Sequence, residues 1–377
     1  MGRPRVARRA GLRRRHHDPR APVSRRAGRG PVTEPPLHAV LIGFGNAGRM
    51  MHLPLLVAAG FEVSGVVATS AAAEARVREA GLPLMESLET VDGSSPDIVV
   101  VAVPDEAHED MLHSALALKP RAVVVDKPVA TSSAAAVRMT EAARSAGSVL
   151  VPFQNRRWDG DFLTMKGLIG DGSLGDLIRV TSCIARWTAA VGNSWRERSR
   201  PGLDGRLADL GSHLVDQLVN LLGPVDSVYA EVRAARVARG PNDDCFLALR
   251  HRSGVTSHAH MSAVQSAPVP RFLAQGRLGS CQVDGMDPQQ EQLVAGIRPG
   301  SIGWGTDPSR PAAALTGTRT RSEPIVPGDW VEFYRLLRQH IQCAEPPPVL
   351  AEDAIQILRI LEASQQSADE RSIVHVD

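Results

Sequence analysis

The sequence lacks long apolar runs and has few cysteines. No segment approaches the roughly 18–20 consecutive apolar residues of a membrane-spanning helix, so we expect no membrane span. The four cysteines, Cys183, Cys245, Cys281 and Cys343, lie far apart and form no C-x-x-C pair. This spacing argues against a disulfide framework and favours a thiol-reducing, cytoplasmic compartment.

Acidic and basic residues are unevenly distributed along the 377 residues. Residues 1–30 hold eleven arginines and one acid, Asp18, which leaves 32 basic and 40 acidic residues elsewhere. The remainder therefore carries a net charge of −8, which argues against a nucleic-acid surface on the folded part. Residues 1–36 are rich in Arg, Pro, Gly and Ala, and we expect a disordered basic tail there. An organelle-targeting leader, a nucleic-acid-binding arm and a solvated tail all stay open, and the composition favours the last.

A glycine-rich turn follows the first apolar run, Ala39–Ile42. The stretch Gly43-Phe44-Gly45-Asn46-Ala47-Gly48 has G-x-G-x-x-G spacing and is followed by an apolar, alanine-rich segment. The first glycine permits a tight turn, the second lets a pyrophosphate approach the backbone, and the third lets a helix pack close to the strand. Three glycines alone also fit a purely structural turn, but the strand before and the helix after favour a dinucleotide site.

Apolar strands alternate with amphipathic helices as far as about residue 150. This alternation predicts an α/β fold with a Rossmann-type, doubly wound parallel sheet over residues 37–154. Several strand-like runs with less helix between them follow, and they predict an α+β domain over 155–377 with a largely antiparallel open sheet. Residues 285–328 are rich in Pro and Gly and are predicted to be loops. Two helices, near 330–343 and 351–363, close the chain.

The residues that follow the second predicted strand bear on the choice of nicotinamide cofactor. A carboxylate about 20 residues after the glycines would bind the ribose 2′-hydroxyl of NAD. Here Thr69 and Ser70 stand at that end, and Glu62 lies at the opposite end of the strand. Hydroxyl groups at a helix start could donate to a 2′-phosphate, so we predict NADP in preference to NAD. The alternative is that both hydroxyls only cap the helix.

Two further stretches carry candidate chemistry. Lys127, one of only three lysines in the chain, follows a buried strand at the same sheet edge as the glycines, and its ammonium could polarise a hydroxyl or carbonyl oxygen. Asp209 and His213 are spaced four apart in a predicted helix, with Asp216 three residues further on. An Asp can orient an imidazole that accepts and returns a proton. A surface lysine and a capping Asp with a buried His are the structural alternatives.

These motifs occur together in the order found in one family. The glycine turn, Pro104 with His108, the Asp126-Lys127-Pro128 triplet and the D-x-x-x-H-x-x-D helix make residues 37–375 resemble the Gfo/Idh/MocA oxidoreductases. The stretches 154–162, 270–280 and 287–292 look like the branch that contains NADP-dependent scyllo-inositol dehydrogenases. Many relatives have Glu where Asp126 stands.

The resemblance implies roles for particular residues. It makes Lys127 the catalytic lysine, in contact with the substrate hydroxyl and the nicotinamide ribose, His213 the general acid/base and Asp209 its partner. It places Pro104 and His108 at the cofactor, and Asn155 and Arg156 at the substrate. Trp195 could add an aromatic face to a sugar pocket or belong to the core.

The expected activity is hydride transfer between NAD(P) and a secondary alcohol or ketone of a cyclitol, sugar or related polyol. An NAD-dependent glycosidase of the same fold and a catalytically silent dinucleotide-binding regulator are the alternatives. His258 and His260 share a strand face, but no matching ligand cluster is evident and we expect no metal. The expected partners are a small-molecule substrate and, by resemblance, copies of the chain in a homodimer or homotetramer, without nucleic acid or membrane.

Overall fold

Six short strands form the first sheet of the computed structural model. The structure describes residues 36–68, 70–86, 88, 95–188, 190–192, 202–317 and 321–376, and the predicted basic tail lies outside this part except for its last residue. The strands are β1 (Leu37–Ile42), β2 (Phe61–Val67), β3 (Leu84–Met85), β4 (Ile98–Val101), β5 (Ala122–Val125) and β6 (Val149–Pro152). They are parallel in the order β3-β2-β1-β4-β5-β6. The prediction of a parallel, doubly wound sheet is confirmed.

The composition of the strands explains their central position. β4 and β5 are runs of apolar, mainly β-branched residues and are buried along their whole length, as a strand covered on both faces by helices requires. The helices between the strands are α1 (Leu53–Ala58), α2 (Ala71–Glu79), α3 (His108–Leu116) and α4 (Ser133–Ser145). The strand order reverses between β1 and β4, so a crevice is expected beyond the carboxyl ends of these two strands.

The described part of the chain contributes nine strands to a second sheet. They are β7 (Leu177–Ala185), β8 (Val225–Arg233), β9 (Asp244–His251), β10 (Thr256–Ser262), β11 (Phe272–Gly276), β12 (Gly279–Val283), β13 (Ala313–Gly317), β14 (Arg321–Glu323) and β15 (Val374–His375). Their order is β14-β13-β12-β11-β7-β10-β9-β8-β15. The pair β7–β10 is parallel and the other pairs are antiparallel. The predicted α+β character of this half is confirmed.

The second half of the chain contributes six helices in the described residues: α5 (Gly160–Gly170), α6 (Gly205–Asp209), α7 (Gly211–Leu222), α8 (Gln289–Val294), α9 (Val331–Cys343) and α10 (Ala351–Glu370). Although α9 lies late in the chain, it packs on the first sheet. Its residues Phe333, Tyr334, Leu337 and Ile341 share a core with β1, β2 and β4. None of the described helices has the length and apolar character to cross a membrane.

The prediction of uninterrupted loops over 285–328 is wrong. This segment contains α8, β13 and β14, and it buries Leu293, Ala313 and Leu315. These elements are too short for their apolar spacing to stand out from the surrounding Pro and Gly residues. The final helix also extends beyond the predicted residue 363 to Glu370, because the small polar side chains of Ser364 and Ser367 are buried and continue its inner face.

Candidate active site

The glycine loop after β1 has three different backbone environments. Gly43 has φ +94°, and a Cβ there would lie 2.4 Å from the carbonyl oxygen of Ala102 after β4. A Cβ on Gly48 would lie 2.1 Å from the Gly43 oxygen, so both positions exclude any side chain. A Cβ on Gly45 would meet nothing within 4 Å. The open space above Gly45 suits a pyrophosphate that approaches the backbone at a helix start.

The other predicted residues of this loop differ in exposure. The Phe44 side chain is fully buried in the core of the first sheet, so only its backbone is available to a ligand. Asn46 is exposed and Ala47 is half-buried. A π-helical turn, Gly48–His52, leads from the loop into α1.

The end of β2 carries no carboxylate in the described residues between Val67 and Ala73. Ser70 is exposed and caps α2, where its hydroxyl accepts a hydrogen bond from the Ala73 amide at 3.3 Å. Thr69, predicted beside it, lies outside the described residues. Ser70 therefore does cap the helix, which was the alternative to a role in cofactor binding. Because this helix start is exposed, an anion could still bind beside the capping hydroxyl.

The His108 ring contacts backbone carbonyl oxygens of two loops at the carboxyl edge of the first sheet. Its ring is buried, with Nε2 2.9 Å from the Val103 oxygen and Nδ1 3.1 and 3.2 Å from the oxygens of Pro128 and Val129. The loop after β4 is thus tied to the loop after β5. Any effect of this ring on a cofactor would pass through these loops, whereas Pro104 is exposed at the crevice.

Lys127 follows β5 and reaches across to the second half of the chain. Its Nζ donates to the Asp209 carboxylate at 2.7 Å and to the Asp209 carbonyl oxygen at 3.0 Å. Both side chains are 14% exposed, so this charged pair is largely shielded from water yet stays accessible to a small molecule. Behind it, the Asp126 carboxylate accepts a hydrogen bond from the Lys127 amide at 2.8 Å.

Asp209 and His213 lie on two consecutive helices, and the prediction of one continuous helix is wrong here. Asp209 ends α6, and α7 begins at Gly211. The packing explains the junction, because a Cβ on Gly211 would lie within 3.5 Å of three core side chains. The His213 amide donates to the Leu210 oxygen at 3.1 Å, and its ring is buried. Lys127 therefore contacts the residue four positions before His213 in the chain.

An ion pair that sequence reasoning missed holds α7 in place. Arg157 donates three hydrogen bonds of 2.6 to 3.1 Å to the carboxylate of Asp216, one turn after His213. Arg157 also lies 3.0 Å from Asp353. Burial raises the pKa of Asp216, and the Arg157 guanidinium opposes this effect. The stretch 154–162 is singled out above by its resemblance to a family branch, and no local pattern reveals a partner for Arg157 that lies 59 residues away.

The predicted substrate residues Asn155 and Arg156 are placed differently. Asn155 is buried, and its amide nitrogen lies 4.0 Å from the Met51 sulfur beside the glycine loop. The Arg156 guanidinium donates to Asp159 at 3.0 Å and to Gln290 at 3.2 Å. Burial, opposed by Arg156, raises the pKa of Asp159 to about 8. Trp195 lies outside the described residues.

The histidines of β10 do not form part of a larger cluster of metal-binding side chains in the described residues. The described ranges contain no group of three or more His, Cys, Asp or Glu side chains that could hold a metal ion. The His260 ring lies 3.4 Å from Asp244 and 3.7 Å from the Cys183 sulfur. Burial raises the pKa of Cys183 to about 11, so this thiol stays protonated at neutral pH.

Both halves of the chain match models of one oxidoreductase family. Residues 37–153 match a model described as an oxidoreductase family, NAD-binding Rossmann fold, and residues 166–376 match the C-terminal alpha/beta domain of an oxidoreductase family. The Escherichia coli oxidoreductase YdgJ is 30% identical over 88% of this chain and 96% of its own length. The Bacillus subtilis scyllo-inositol 2-dehydrogenase (NADP(+)) IolW is 30% identical over 89% of this chain and 95% of its own.

A further relative and a solved structure are also similar to this chain. A 1,5-anhydro-D-fructose reductase from Ensifer adhaerens is 28% identical over 64% of this chain and 73% of its own length. The solved structure of the Bacillus subtilis oxidoreductase YvaA has a TM-score of 0.83 and 29% identity, covering 90% of this chain and 98% of that one.

Proposed function

The chain belongs to the Gfo/Idh/MocA oxidoreductase family, and from this premise we propose that it transfers a hydride between NADP and a cyclitol, sugar or related polyol. The reaction would interconvert a secondary alcohol and its ketone. The observation that carries the proposal is the 2.7 Å contact between the Lys127 ammonium and the Asp209 carboxylate. It joins the carboxyl edge of a dinucleotide-binding sheet to the helix pair that bears His213.

Each of the three polar groups has a distinct task in this scheme. His213 removes the hydroxyl proton during oxidation and returns it during reduction. Lys127 stabilises the alkoxide as negative charge develops on the oxygen. Asp209 holds the ammonium in position, and the shielding of Lys127 from water strengthens the attraction between its ammonium and the alkoxide oxygen. The nicotinamide, when bound, accepts or supplies the hydride.

The choice of NADP rests on the end of β2. In the described residues there, no carboxylate stands where it would repel a 2′-phosphate, and the Ser70 hydroxyl lies at the exposed start of α2. The relative IolW carries NADP(+) in its name, which agrees with this preference. The substrate class is supported by the names of relatives that act on scyllo-inositol and on 1,5-anhydro-D-fructose. A homodimer or homotetramer and a cytoplasmic location belong to the same proposal.

A substrate screen with both cofactors tests the proposal. Purified protein would be assayed with scyllo-inositol, myo-inositol and sugar lactones, with formation or loss of reduced nicotinamide followed by its absorbance. We expect turnover of at least one cyclitol or sugar with NADP, lost in Lys127→Ala. Cleavage of an aryl glycoside without net cofactor turnover would point instead to the glycosidase alternative. Cofactor binding without turnover on any compound would point to the regulator.

A further inference from the structure

His52 is a buried histidine between the glycine loop and the lysine loop. It is fully shielded from solvent at the end of the π-helical turn Gly48–His52. Its Nδ1 lies 2.7 Å from the hydroxyl of Tyr334 on α9, and its Nε2 lies 3.9 Å from an oxygen of Asp126. Nε2 is buried and makes no hydrogen bond within the described residues. A polar ring atom therefore faces the carboxylate next to Lys127.

The contact with Tyr334 determines which ring nitrogen carries the proton. Burial lowers the pKa of His52, with Asp126 acting in the opposite direction, so the ring is neutral at pH 7. A neutral imidazole has one N–H. If the Tyr334 hydroxyl donates to Nδ1, the proton lies on Nε2 and faces the carboxylate. If Nδ1 instead donated to the Tyr334 oxygen, the lone pair of Nε2 would face the Asp126 carboxylate, and the two would repel each other. The geometry favours the Nε2–H tautomer.

Aromatic packing keeps the ring in this orientation. The Phe153 ring centroid is 4.3 Å from that of His52, and Phe333 packs edge-on against Phe153 at 4.9 Å. The ring lies in a π-helical turn, a feature that is frequent at functional sites. A continuous series of contacts thus runs from Tyr334 through His52 to Asp126. The same Asp126 oxygen accepts the hydrogen bond of the Lys127 amide.

We propose that His52 is a positioning residue. Held as the Nε2–H tautomer by Tyr334, it orients the Asp126 carboxylate and thereby directs the Lys127 ammonium to Asp209. The proposal rests on the proposed function only in taking Lys127 as catalytic, because the series of contacts can be tested without any substrate.

Competitive acetylation of lysines measures the position of Lys127 directly. The chain has only two other lysines, Lys119 and Lys166, and both serve as internal standards when labelling is followed by mass spectrometry. In His52→Leu we expect Lys127 to be labelled about 2- to 5-fold faster, the factor that corresponds to losing one weak electrostatic contact with the Asp126 carboxylate. In His52→Gln the amide retains a donor near the Nε2 position, and we expect labelling close to that of the parent protein.

Two substitutions on α9 provide a conservative variant and a matched control. Tyr334→Phe removes only the hydroxyl and should also accelerate Lys127 labelling. Phe333→Leu disturbs the same aromatic cluster without touching a polar contact, and should leave the labelling unchanged. An unchanged Lys127 rate in Tyr334→Phe, or an equal acceleration in Phe333→Leu, would overturn the proposal. Because Tyr334→Phe loses one atom, it keeps the test informative if His52→Leu fails to fold.

Nuclear magnetic resonance of protein with ¹⁵N-labelled histidine provides a readout that a packing role alone would not change. The signal of His52 among the twelve histidines is identified by its loss in His52→Gln. We expect a protonated Nε2 and a bare Nδ1 in the parent, and partial transfer of the proton to Nδ1 in Tyr334→Phe. A protonated Nδ1 in the parent would overturn the proposal. Neither measurement needs turnover, so absence of activity on every polyol would refute the proposed function and leave this test intact.

Discussion

Removing both partners of the ion pair between Arg157 and Asp216 should cost less folding free energy than the sum of the two single losses. Arg157→Met retains the apolar stem but leaves the Asp216 carboxylate, only 2% exposed, without its three hydrogen bonds. An uncompensated buried charge of this kind costs about 3–5 kcal/mol of folding free energy. Asp216→Asn should cost less, because Arg157 still contacts Asp353 at 3.0 Å. The double variant should lose clearly less than the sum of the single losses, since neither charge is left alone.

Urea denaturation followed by tryptophan fluorescence measures these differences, and a double-mutant cycle isolates the coupling. We expect a coupling energy between about 1 and 3 kcal/mol in favour of the pair. Because Asp216 lies one turn after His213, Arg157→Met should also lower kcat more than it raises KM. Strictly additive losses, or a loss below about 1 kcal/mol in Arg157→Met, would refute the reasoning.

Three further predictions concern the cofactor, the chemistry and pH. Lys127→Ala should lower kcat by about 10²- to 10³-fold, because the alkoxide loses its stabilising charge. The affinity for NADPH, measured by fluorescence titration, should change little, and near-normal turnover would refute the proposed mechanism. Gly45→Val should fold normally, since a Cβ at this position meets nothing within 4 Å. Its side chain would occupy the space proposed for the pyrophosphate, so it should bind NADPH at least about tenfold more weakly. Gly48→Ala, in contrast, should lose about 1–3 kcal/mol of folding stability. Burial, with a smaller effect of Asp161, raises the pKa of Asp287 to about 6. Because the folded state then binds more protons than the unfolded chain, its stability should fall by up to about 3 kcal/mol as pH rises from 4 to 6, and this slope should be weaker in Asp287→Asn.

Sequence reasoning was most successful where local geometry imposes the residue type. Gly43 and Gly48 are required by backbone contacts within the loop and with the neighbouring strand, and the buried strands β4 and β5 need continuous apolar runs. Such constraints leave a pattern that can be read without a structure. The short elements α8, β13 and β14 leave none, because two or three buried residues suffice to hold each of them in place.

Long-range contacts could not be predicted from spacing. The helical pattern of α9 predicts a helix, but not that its aromatic face covers the first sheet. The Lys127–Asp209 contact spans 82 residues, so the motifs indicated both residues without indicating that they touch. The motif places His108 at the cofactor but does not predict that its ring lies buried among three carbonyl oxygens. His52 gave no signal, since a single His in an apolar helix resembles any buried polar residue.

A crystal structure of the protein with NADPH and a substrate cyclitol or sugar tests the central claim most directly. The account predicts Lys127 and His213 on the same side of the nicotinamide ring, each within about 3.2 Å of the reacting substrate oxygen, directly or through one water. Side chains more than about 10 Å apart without closure of the two halves, or a dinucleotide bound away from the glycine loop, would contradict it.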